Sequence, residues 1–433
     1  MENPISGLKV ASRVRQRVLI VLQPGSTVES RNAWHLYSDI AWWGVLNGVV
    51  TSFLAVFTIR LGGSDSHVGL LTALPAFIAI FFSIPGSRLV EREHTPLSVL
   101  LISGTLNRAG YLVIALLPFF LITHAADGVV ALVALLSVPA AVSNVAFTTM
   151  FGQAVKSERR ARVVSIRNVW VGITSTLTAL VGGAFLELVL FPINYQILFA
   201  FAFAASMVSI YHLSRIRLDE PMRAGASPRR GEVPRGARAF IDMLRSSDGY
   251  TRFAVTSFIF QWGVFFTVPL YSIFWVRNLN ASDGWVGVIN MVGSATTILF
   301  YPLWGRLTAR RGNRIVMILT TAGMAGYPFF LALAPSVEWA VVVSFWGGVV
   351  SSGQALSFFN GLLEVCPELN RSSFIAGYNT FVNIAAFISP ILSTSLTEIY
   401  GIQAMLFLGA GLRLFGSFLI WQQRVLVPKQ VAA

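Results

Sequence analysis

The chain has 433 residues, of which 55% are hydrophobic and only 12% are charged, and its formal net charge is +13. A water-soluble globular domain carries about 25% charged residues to wet its surface, so this composition excludes soluble enzymes, disordered chains and disulfide-stapled secreted domains. Cys366 is the only cysteine, which excludes a disulfide framework and a thiolate metal site. The apolar run at residues 18–22 is too short to be the core of a signal peptide.

Twelve apolar runs follow one another along the chain, and each is long enough to cross about 30 Å of hydrocarbon as a helix. They are predicted at residues 33–60, 67–88, 96–122, 128–153, 165–190, 194–214, 251–278, 285–305, 313–334, 338–363, 374–398 and 401–423. Several contain proline, which membrane helices tolerate because neighbouring helices bind the freed backbone groups. The runs are apolar on every side, whereas the strands of a membrane barrel alternate polar and apolar residues. The sequence therefore predicts an all-α polytopic membrane protein.

The basic residues predict the orientation of these helices. With the N-terminus on the inner side, 28 of the 32 Lys and Arg residues fall on the inner side and only Arg60 and Arg277 on the outer side. Cytoplasmic loops carry such an excess, so we expect both termini to be cytoplasmic and the protein to lie in the inner or plasma membrane of the cell. The positive charge then reflects membrane insertion and contact with the lipid bilayer, and it indicates no nucleic-acid partner.

A long polar stretch divides the spans six and six. The predicted organisation is a cytoplasmic segment at 1–32, a six-helix bundle at 33–215, a cytoplasmic linker at 216–250, a second bundle at 251–423 and a cytoplasmic tail at 424–433. The end of the linker, residues 239–244, is a candidate for a short helix at the membrane interface.

The two halves share an ordered series of matching residues, which predicts an internal parallel repeat. The motif Ser64-Asp65-x-x-Val68-Gly69 recurs 218 residues later as Ser282-Asp283-x-x-Val286-Gly287. Further along, at an offset of 211, the matched positions are Arg160 and Arg371, Asn168 and Asn379, and Glu187 and Glu398. The two glutamates lie at outer helix ends, where an interfacial structural role is favoured over a role in coupling.

The segment between the eighth and ninth spans resembles a known signature. Gly305-Arg306-Leu307-Thr308-Ala309-Arg310-Arg311-Gly312-Asn313-Arg314 is similar to G-x-L-x-D-R-x-G-R-R, the loop signature of the major facilitator superfamily. A weaker copy at residues 88–94 keeps Glu91 and Arg92 at the Asp-Arg positions. With six plus six spans and a long central loop, the resemblance covers essentially the whole chain.

The resemblance implies a fold of two pseudo-symmetric six-helix bundles that move around a central cavity. It also implies that this loop helps to gate the two halves, with gating-loop candidates Glu91, Arg92, Gly305, Arg310, Gly312 and Arg314. Ala309 stands where the family has an acid, so the second copy lacks that contact. The proton-antiporter subgroups carry an Arg in span 4, which this chain lacks, and their span 5 motif is reduced here to Gly182-Gly183.

In this family spans 1, 4, 7 and 10 line the transport cavity. The polar and aromatic residues on those spans are therefore the candidates for substrate contact: Trp43, Asn47, Asn144, Gln261, Trp262, Tyr271, Gln354 and Asn360. An aromatic wall with a few amides suits neutral or planar organic molecules. The alternative is that the amides bridge helices within the bundle.

Charged residues inside the spans are costly in a bilayer and are candidates for function. Asp39 in span 1 is the candidate for coupling to protons or another ion, and the alternative is an interfacial carboxylate stabilised by the helix N-terminus. Arg108, predicted at the membrane midplane with no acid at its depth, is a candidate for binding an anionic substrate. A structural role, with bonds to backbone carbonyls and Asn107, is favoured. Arg413 in span 12 has the same two interpretations.

The sequence contains no nucleotide signature, no metal-ligand spacing and no nucleophile with an adjacent base, so it predicts neither an enzyme nor a cofactor. The predicted function is secondary active transport of an organic small molecule by alternating access, with efflux favoured over uptake and coupling to an ion gradient left open. The alternative is a transporter-like membrane protein that acts as a sensor or assembly factor without transport.

Overall fold

The computed structural model describes residues 27–92, 96–121, 123–218, 248–367, 371–423 and 426. Within these ranges twelve helices are long and apolar enough to cross a membrane, which confirms the predicted fold class. The helices are α1 Val28–Arg60, α2 Asp65–Arg92, α3 Pro96–Phe120, α4 Ala125–Ala154, α5 Ser157–Leu188, α6 Ile193–Ser214, α7 Asp248–Ile273, α8 Asp283–Arg311, α9 Asn313–Ala332, α10 Val337–Val365, α11 Arg371–Tyr400 and α12 Ile402–Gln422. A five-residue π segment, Phe274–Asn278, continues α7.

Several helices begin before the apolar run that predicted them. α1 starts at Val28 because Thr27 and Ser30 form a reciprocal cap, in which each side chain accepts a hydrogen bond from the other residue's backbone N–H. A helix satisfies its own backbone whatever its side chains, so it extends through the polar interface beyond the hydrocarbon. The candidate interfacial helix at 239–244 lies outside the described residues, as do most of the N-terminal segment, the linker and the tail.

The same packing pattern is repeated in the two halves of the chain. In the first half α1 packs on α5 and α6, α2 on α4, and α3 on α4 and α6. In the second half α7 packs on α11 and α12, α8 on α10, and α9 on α10 and α12. The halves meet where α5 packs on α8 and where α2 packs on α11. This arrangement is the predicted pair of pseudo-symmetric six-helix bundles.

Two matched arginines show the repeat at atomic detail. Arg160 at the start of α5 donates from Nη2 to the carbonyl oxygen of Gly152 at the end of α4. Arg371 at the start of α11 donates to the carbonyl oxygen of Leu363 at the end of α10, over 2.9 Å. Each guanidinium therefore satisfies a free carbonyl at the negative end of the preceding helix.

Small residues let the two halves approach closely. A Cβ built on Gly287 of α8 would lie 2.5 Å from the carbonyl oxygen of Ala179 of α5, and one built on Gly69 of α2 would lie 3.1 Å from the carbonyl oxygen of Pro390 of α11. The two crossings are related by the repeat. Small residues at a membrane helix crossing allow such backbone contact, which larger residues prevent.

Substitution Gly287→Leu is expected to force α5 and α8 apart without unfolding either bundle, because the added side chain meets backbone atoms that cannot rotate away. Distances between spin labels on the two halves, at the end near Gly287, should lengthen. The control is Gly411→Leu, since a Cβ at Gly411 meets nothing within 4 Å. Unchanged distances in the Gly287 variant would contradict the close crossing.

Candidate functional site

A buried charge cluster joins four helices of the first half. Asp39 of α1 is only 3% exposed and accepts hydrogen bonds on both carboxylate oxygens. Its Oδ2 accepts from Nη1 of Arg167 on α5 over 3.0 Å, and its Oδ1 accepts from the Ser209 hydroxyl on α6 over 2.6 Å. That hydroxyl in turn accepts from Nη2 of Arg108 on α3 over 2.9 Å. The predicted coupling residue is therefore the shared anion of two buried arginines.

This cluster changes the expected surroundings of Arg108. Helix rise predicted that no acid lies at its depth, but the structure connects Arg108 to Asp39 through one hydroxyl group. The long side chain of Arg108 and the Ser209 hydroxyl that lies between the two groups span the difference in membrane depth between Arg108 and Asp39. The Nε atom of Arg108 is buried without a hydrogen-bond partner. The hydrogen bond that the structure gives the Asn107 side chain goes to the Leu136 carbonyl oxygen, at 3.1 Å, and not to Arg108.

Arg167 is the residue of this cluster that the sequence analysis missed. Its sequence position near the inner end of span 5 groups it with the basic residues of the inner side, whereas the structure buries it to 8% exposure against α1. Its Nη1 also donates to the Leu36 carbonyl over 2.6 Å, and its guanidinium lies 4.6 Å from the centre of the Phe147 ring. Its position inside the predicted span at 165–190 was the available signal.

Arg413 of α12 is the buried cation of the second half, and it is 1% exposed. It donates to the carbonyl oxygens of Gly263 and Val264 on α7, both at 3.3 Å, and of Met324 on α9 at 2.8 Å. It also donates to two hydroxyls of α7, those of Thr267 and Tyr271. These bonds tie α12 to α7 and α9.

A cavity of about 310 Å³ lies beside Arg413, between α7, α8, α9, α10 and α12. Tyr271 and Trp275 of the α7 segment and Tyr327 of α9 form an aromatic wall, in which the Tyr271 and Tyr327 ring centres are 4.6 Å apart. Among the predicted substrate residues, Tyr271 lines this cavity. Asn290 and Thr297 of α8 add polar groups.

The other predicted cavity residues are distributed along their helices. Asn47 donates to the Ser175 hydroxyl of α5 at 3.1 Å, which is the helix-bridging role given above as the alternative. Trp262 packs its ring 5.7 Å from that of Phe258, and its carbonyl accepts from Ser389 of α11 at 2.7 Å. Asn144 is exposed, whereas the remaining candidates are half-buried: Trp43, Gln261, Gln354 and Asn360.

The signature loop packs within the second half. Gly305, which is half-buried, and Arg310, which is exposed, belong to the last turns of α8, and Gly312 ends that helix with a positive φ of 83°. Arg314 donates to the Trp421 carbonyl of α12 at 3.3 Å, while Asn313 donates to the Ser357 carbonyl of α10 at 2.9 Å. Glu91 and Arg92 end α2, and their side chains lie outside the described part of the structure.

Two crossed ion pairs join the halves at the opposite end. Arg60, which ends α1, binds Asp283 at the start of α8 over 3.4 Å and the carbonyl oxygen of Ala281 over 3.0 Å. Arg277 of the π segment, at the matching position, binds Asp65 at the start of α2 and the carbonyl oxygen of Gly63. Each arginine thus holds a carboxylate and the carbonyl two residues before it. We call this arrangement the reciprocal clasp.

Glu187 of α5 strengthens the same end. Its Oε1 accepts from the Ser282 hydroxyl at 2.5 Å and from the Gly284 backbone N–H at 3.1 Å, so it caps the N-terminus of α8 from the other half. A carboxylate is stabilised at that position by the positive end of the helix dipole. Glu187 therefore lies at the interface between the two halves and contacts the N-terminus of α8.

A protein-family model described as Major Facilitator Superfamily matches residues 43–274 and 253–431. Among curated proteins, the multidrug resistance protein MdtG of Proteus mirabilis is 24% identical over 159 residues, which are 35% of this chain and 38% of that protein. The staphyloferrin B transporter of Staphylococcus aureus is 23% identical over 160 residues, 35% of this chain and 37% of that protein. The matches thus span well under half of these relatives.

Solved structures share the fold over nearly the full length. A POT family transporter in complex with 5-aminolevulinic acid aligns with a TM-score of 0.72 and 11% identity, over 92% of this chain and 97% of that one. A D-xylose-proton symporter aligns with a TM-score of 0.67 and 13% identity, over 90% of this chain and 96% of that one. At these identities the likeness concerns the fold alone.

Proposed function

The chain belongs to the major facilitator superfamily and is a multi-pass membrane transporter, and on that premise we propose that it exports an organic small molecule by alternating access, driven by an ion gradient. The two six-helix bundles rock about the α5–α8 and α2–α11 crossings, so that a cavity between them opens to one side of the membrane at a time. Binding energy differences between the two states, and not ATP, bias the motion.

The reciprocal clasp is the observation that carries this proposal. It consists of side chains from both bundles at one end of the molecule, and in each contact a partly exposed arginine, which water can reach, meets a largely buried carboxylate. Such contacts suit a gate, because they are strong enough to favour one state and weak enough to be broken in each cycle. The glycine contacts at the two crossings supply the surfaces on which the bundles move.

Export is favoured because several relatives carry names of export proteins, among them multidrug resistance protein MdtG and a staphylopine export protein of Staphylococcus aureus. Coupling is assigned to Asp39. Protonation of this carboxylate would remove the anion shared by Arg167 and Ser209, loosening the contact between α1, α5 and α6. Both Asp39 and the clasp residue Arg60 belong to α1. A proton taken up by Asp39 on one side of the membrane would therefore change the packing of the helix that carries Arg60.

The proposal is tested by flux in proteoliposomes. Purified protein is reconstituted, a pH gradient is imposed, and movement of radiolabelled organic cations, anions and neutral molecules is followed, with protein-free vesicles as the control. Accumulation that collapses when the gradient is discharged is the expected result. If the protein binds such molecules but moves none of them in response to the gradient, the result would contradict transport and favour the sensor or assembly function.

A matched locked variant makes the test specific. The double variant Arg60→Cys/Asp283→Cys, joined by a bis-maleimide, should stop flux by holding the clasp end closed, and the same variant without the cross-linker should transport. The native thiol does not interfere, because Cys366 is buried and burial raises its pKa to about 11. Undiminished flux after complete cross-linking would contradict alternating access through this end.

The orientation is a separate prediction. The distribution of basic residues predicts that both termini are cytoplasmic, so a reporter fused after Arg424 should show cytoplasmic activity. A reporter inserted between Gly62 and Gly63, at the clasp end, should show the opposite location. A periplasmic location for the C-terminal fusion would overturn the orientation and, with it, the side on which the clasp closes.

A further inference from the structure

The membrane-spanning region buries more positive than negative side chains. The described arginines that are less than a tenth exposed are Arg108, Arg167 and Arg413, whereas the equally buried carboxylates are Asp39 and Asp65. Asp65 belongs to the clasp, so Asp39 alone neutralises the arginines of the first-half cluster. The interior therefore carries an excess of positive charge.

The cavity in the second half lies next to the part of this charge that has no counter-ion. Each hydrogen-bond partner that the structure gives Arg413 is neutral, either a backbone carbonyl or a hydroxyl group. These dipoles satisfy its N–H groups but do not cancel its charge. Because the surroundings have a low dielectric constant, the positive potential extends into the cavity and favours an anion there.

A second observation at the same cavity also indicates a ligand with acceptor atoms. Trp275 lines the cavity, is 6% exposed, and its indole N–H has no acceptor. Buried N–H groups are nearly always paired, so this N–H is an unsatisfied donor on a residue that lines the cavity. Trp275 lies in the π segment, where the Leu279 N–H binds the Phe274 carbonyl at 3.0 Å, and such segments occur frequently at functional sites.

The remaining walls of the cavity are aromatic. The Tyr271 and Trp275 rings lie nearly parallel, with an angle of 21° between their planes, and Tyr327 meets Tyr271 edge to face. Flat rings of this kind bind flat apolar groups. A volume of about 310 Å³ is at the small end of the range for sites that hold organic ligands.

We propose that this cavity binds planar aromatic carboxylates, with the carboxylate directed to Trp275 and Arg413 and the ring held by Tyr271 and Tyr327. The proposal rests on the proposed transport function and names the substrate class of the exporter. It also predicts discrimination by charge: a cation of the same shape is repelled by Arg413, and a neutral amide loses the attraction.

The test is equilibrium binding to the purified full-length protein in nanodiscs, with radiolabelled 2-naphthoate as the probe. We expect saturable binding of 2-naphthoate. The neutral 2-naphthamide should compete with an affinity about tenfold lower or weaker still, because it lacks one charge-assisted hydrogen bond. The cationic 2-naphthylmethylamine should not compete. Absence of saturable binding up to the solubility limit of the probe would overturn the proposal. So would equal competition by the amide or the amine.

Trp275→Phe tests the geometry. It keeps an aromatic ring but removes the N–H, so 2-naphthoate affinity should fall about tenfold. The melting temperature should change little, because this N–H has no partner within the chain. The matched control is Trp346→Phe, whose N–H donates to the Gly323 carbonyl at 2.9 Å: it should lower the melting temperature and leave affinity unchanged. Wild-type affinity in Trp275→Phe would overturn the assignment.

The binding assay separates this proposal from the proposed function. Gradient-driven flux of other molecules by a protein that does not bind 2-naphthoate would overturn the anion site and leave transport intact. Charge-selective binding of 2-naphthoate, sensitive to Trp275→Phe, would support the anion site even if no vesicle experiment showed flux.

Discussion

Removal of the reciprocal clasp, by the double variant Arg60→Ala/Arg277→Ala, is expected to shift the protein toward the state that is open at the clasp end. The two arginine side chains are 36% and 40% exposed, and their carboxylate partners are 12% and 11% exposed. Water therefore screens each pair, and we assign about 1 kcal/mol to each arginine with its carbonyl bond. Loss of both changes the ratio of the two states by roughly 30-fold.

The shift can be measured with spin labels on α1 and α7 near the clasp, from the distribution of distances between them. The charge exchange Arg60→Asp/Asp283→Arg should keep the short distance, because it rebuilds this pair with reversed partners and leaves the pair of Arg277 and Asp65 in place. Arg310→Ala is the matched control, since it removes an exposed arginine at the other end of α8. A short distance that persists in the double alanine variant would show that the glycine crossings hold this end closed without the clasp.

Asp39→Asn is expected to have the largest effect on stability of any single substitution in the first half. It leaves Arg167 and Arg108 buried without a carboxylate, and breaking a buried pair in this way costs about 3–5 kcal/mol of unfolding free energy. The double variant Asp39→Asn/Arg167→Gln should recover much of this loss, because no unpaired charge remains on α5. The measurement is unfolding in detergent, followed by tryptophan fluorescence.

Asp127→Asn is the control for these variants, because Asp127 is 61% exposed and pairs with His67 at the surface. Equal losses in Asp39→Asn and Asp127→Asn would contradict the structural weight given to the buried pair. The folded double variant also tests coupling: substrate exchange should persist while proton-driven accumulation disappears. Accumulation with an unchanged pH dependence would remove Asp39 from the coupling mechanism.

The sequence by itself determined the features that depend on one helix at a time. In hydrocarbon each helix must satisfy its own backbone, so every span is visible as a local apolar run. The repeat was visible for the same reason, because matched residues such as Asp65 and Asp283 occupy equivalent places in equivalent helices. The sequence also singled out Asp39 and Arg413, since a charge inside an apolar run is conspicuous without any knowledge of its surroundings.

The tertiary structure decided which of these residues meet. Asp39 and Arg167 lie 128 residues apart and Arg60 and Asp283 lie 223 apart, so neither hydropathy nor spacing carries information on their contact. Lipid is as apolar as the helix surfaces, so lateral packing follows from small residues and polar contacts between helices, and not from hydrophobicity. That packing gave Arg167 and Arg108 a shared carboxylate, left Arg413 among neutral groups, and crossed the two arginines of the clasp between the halves.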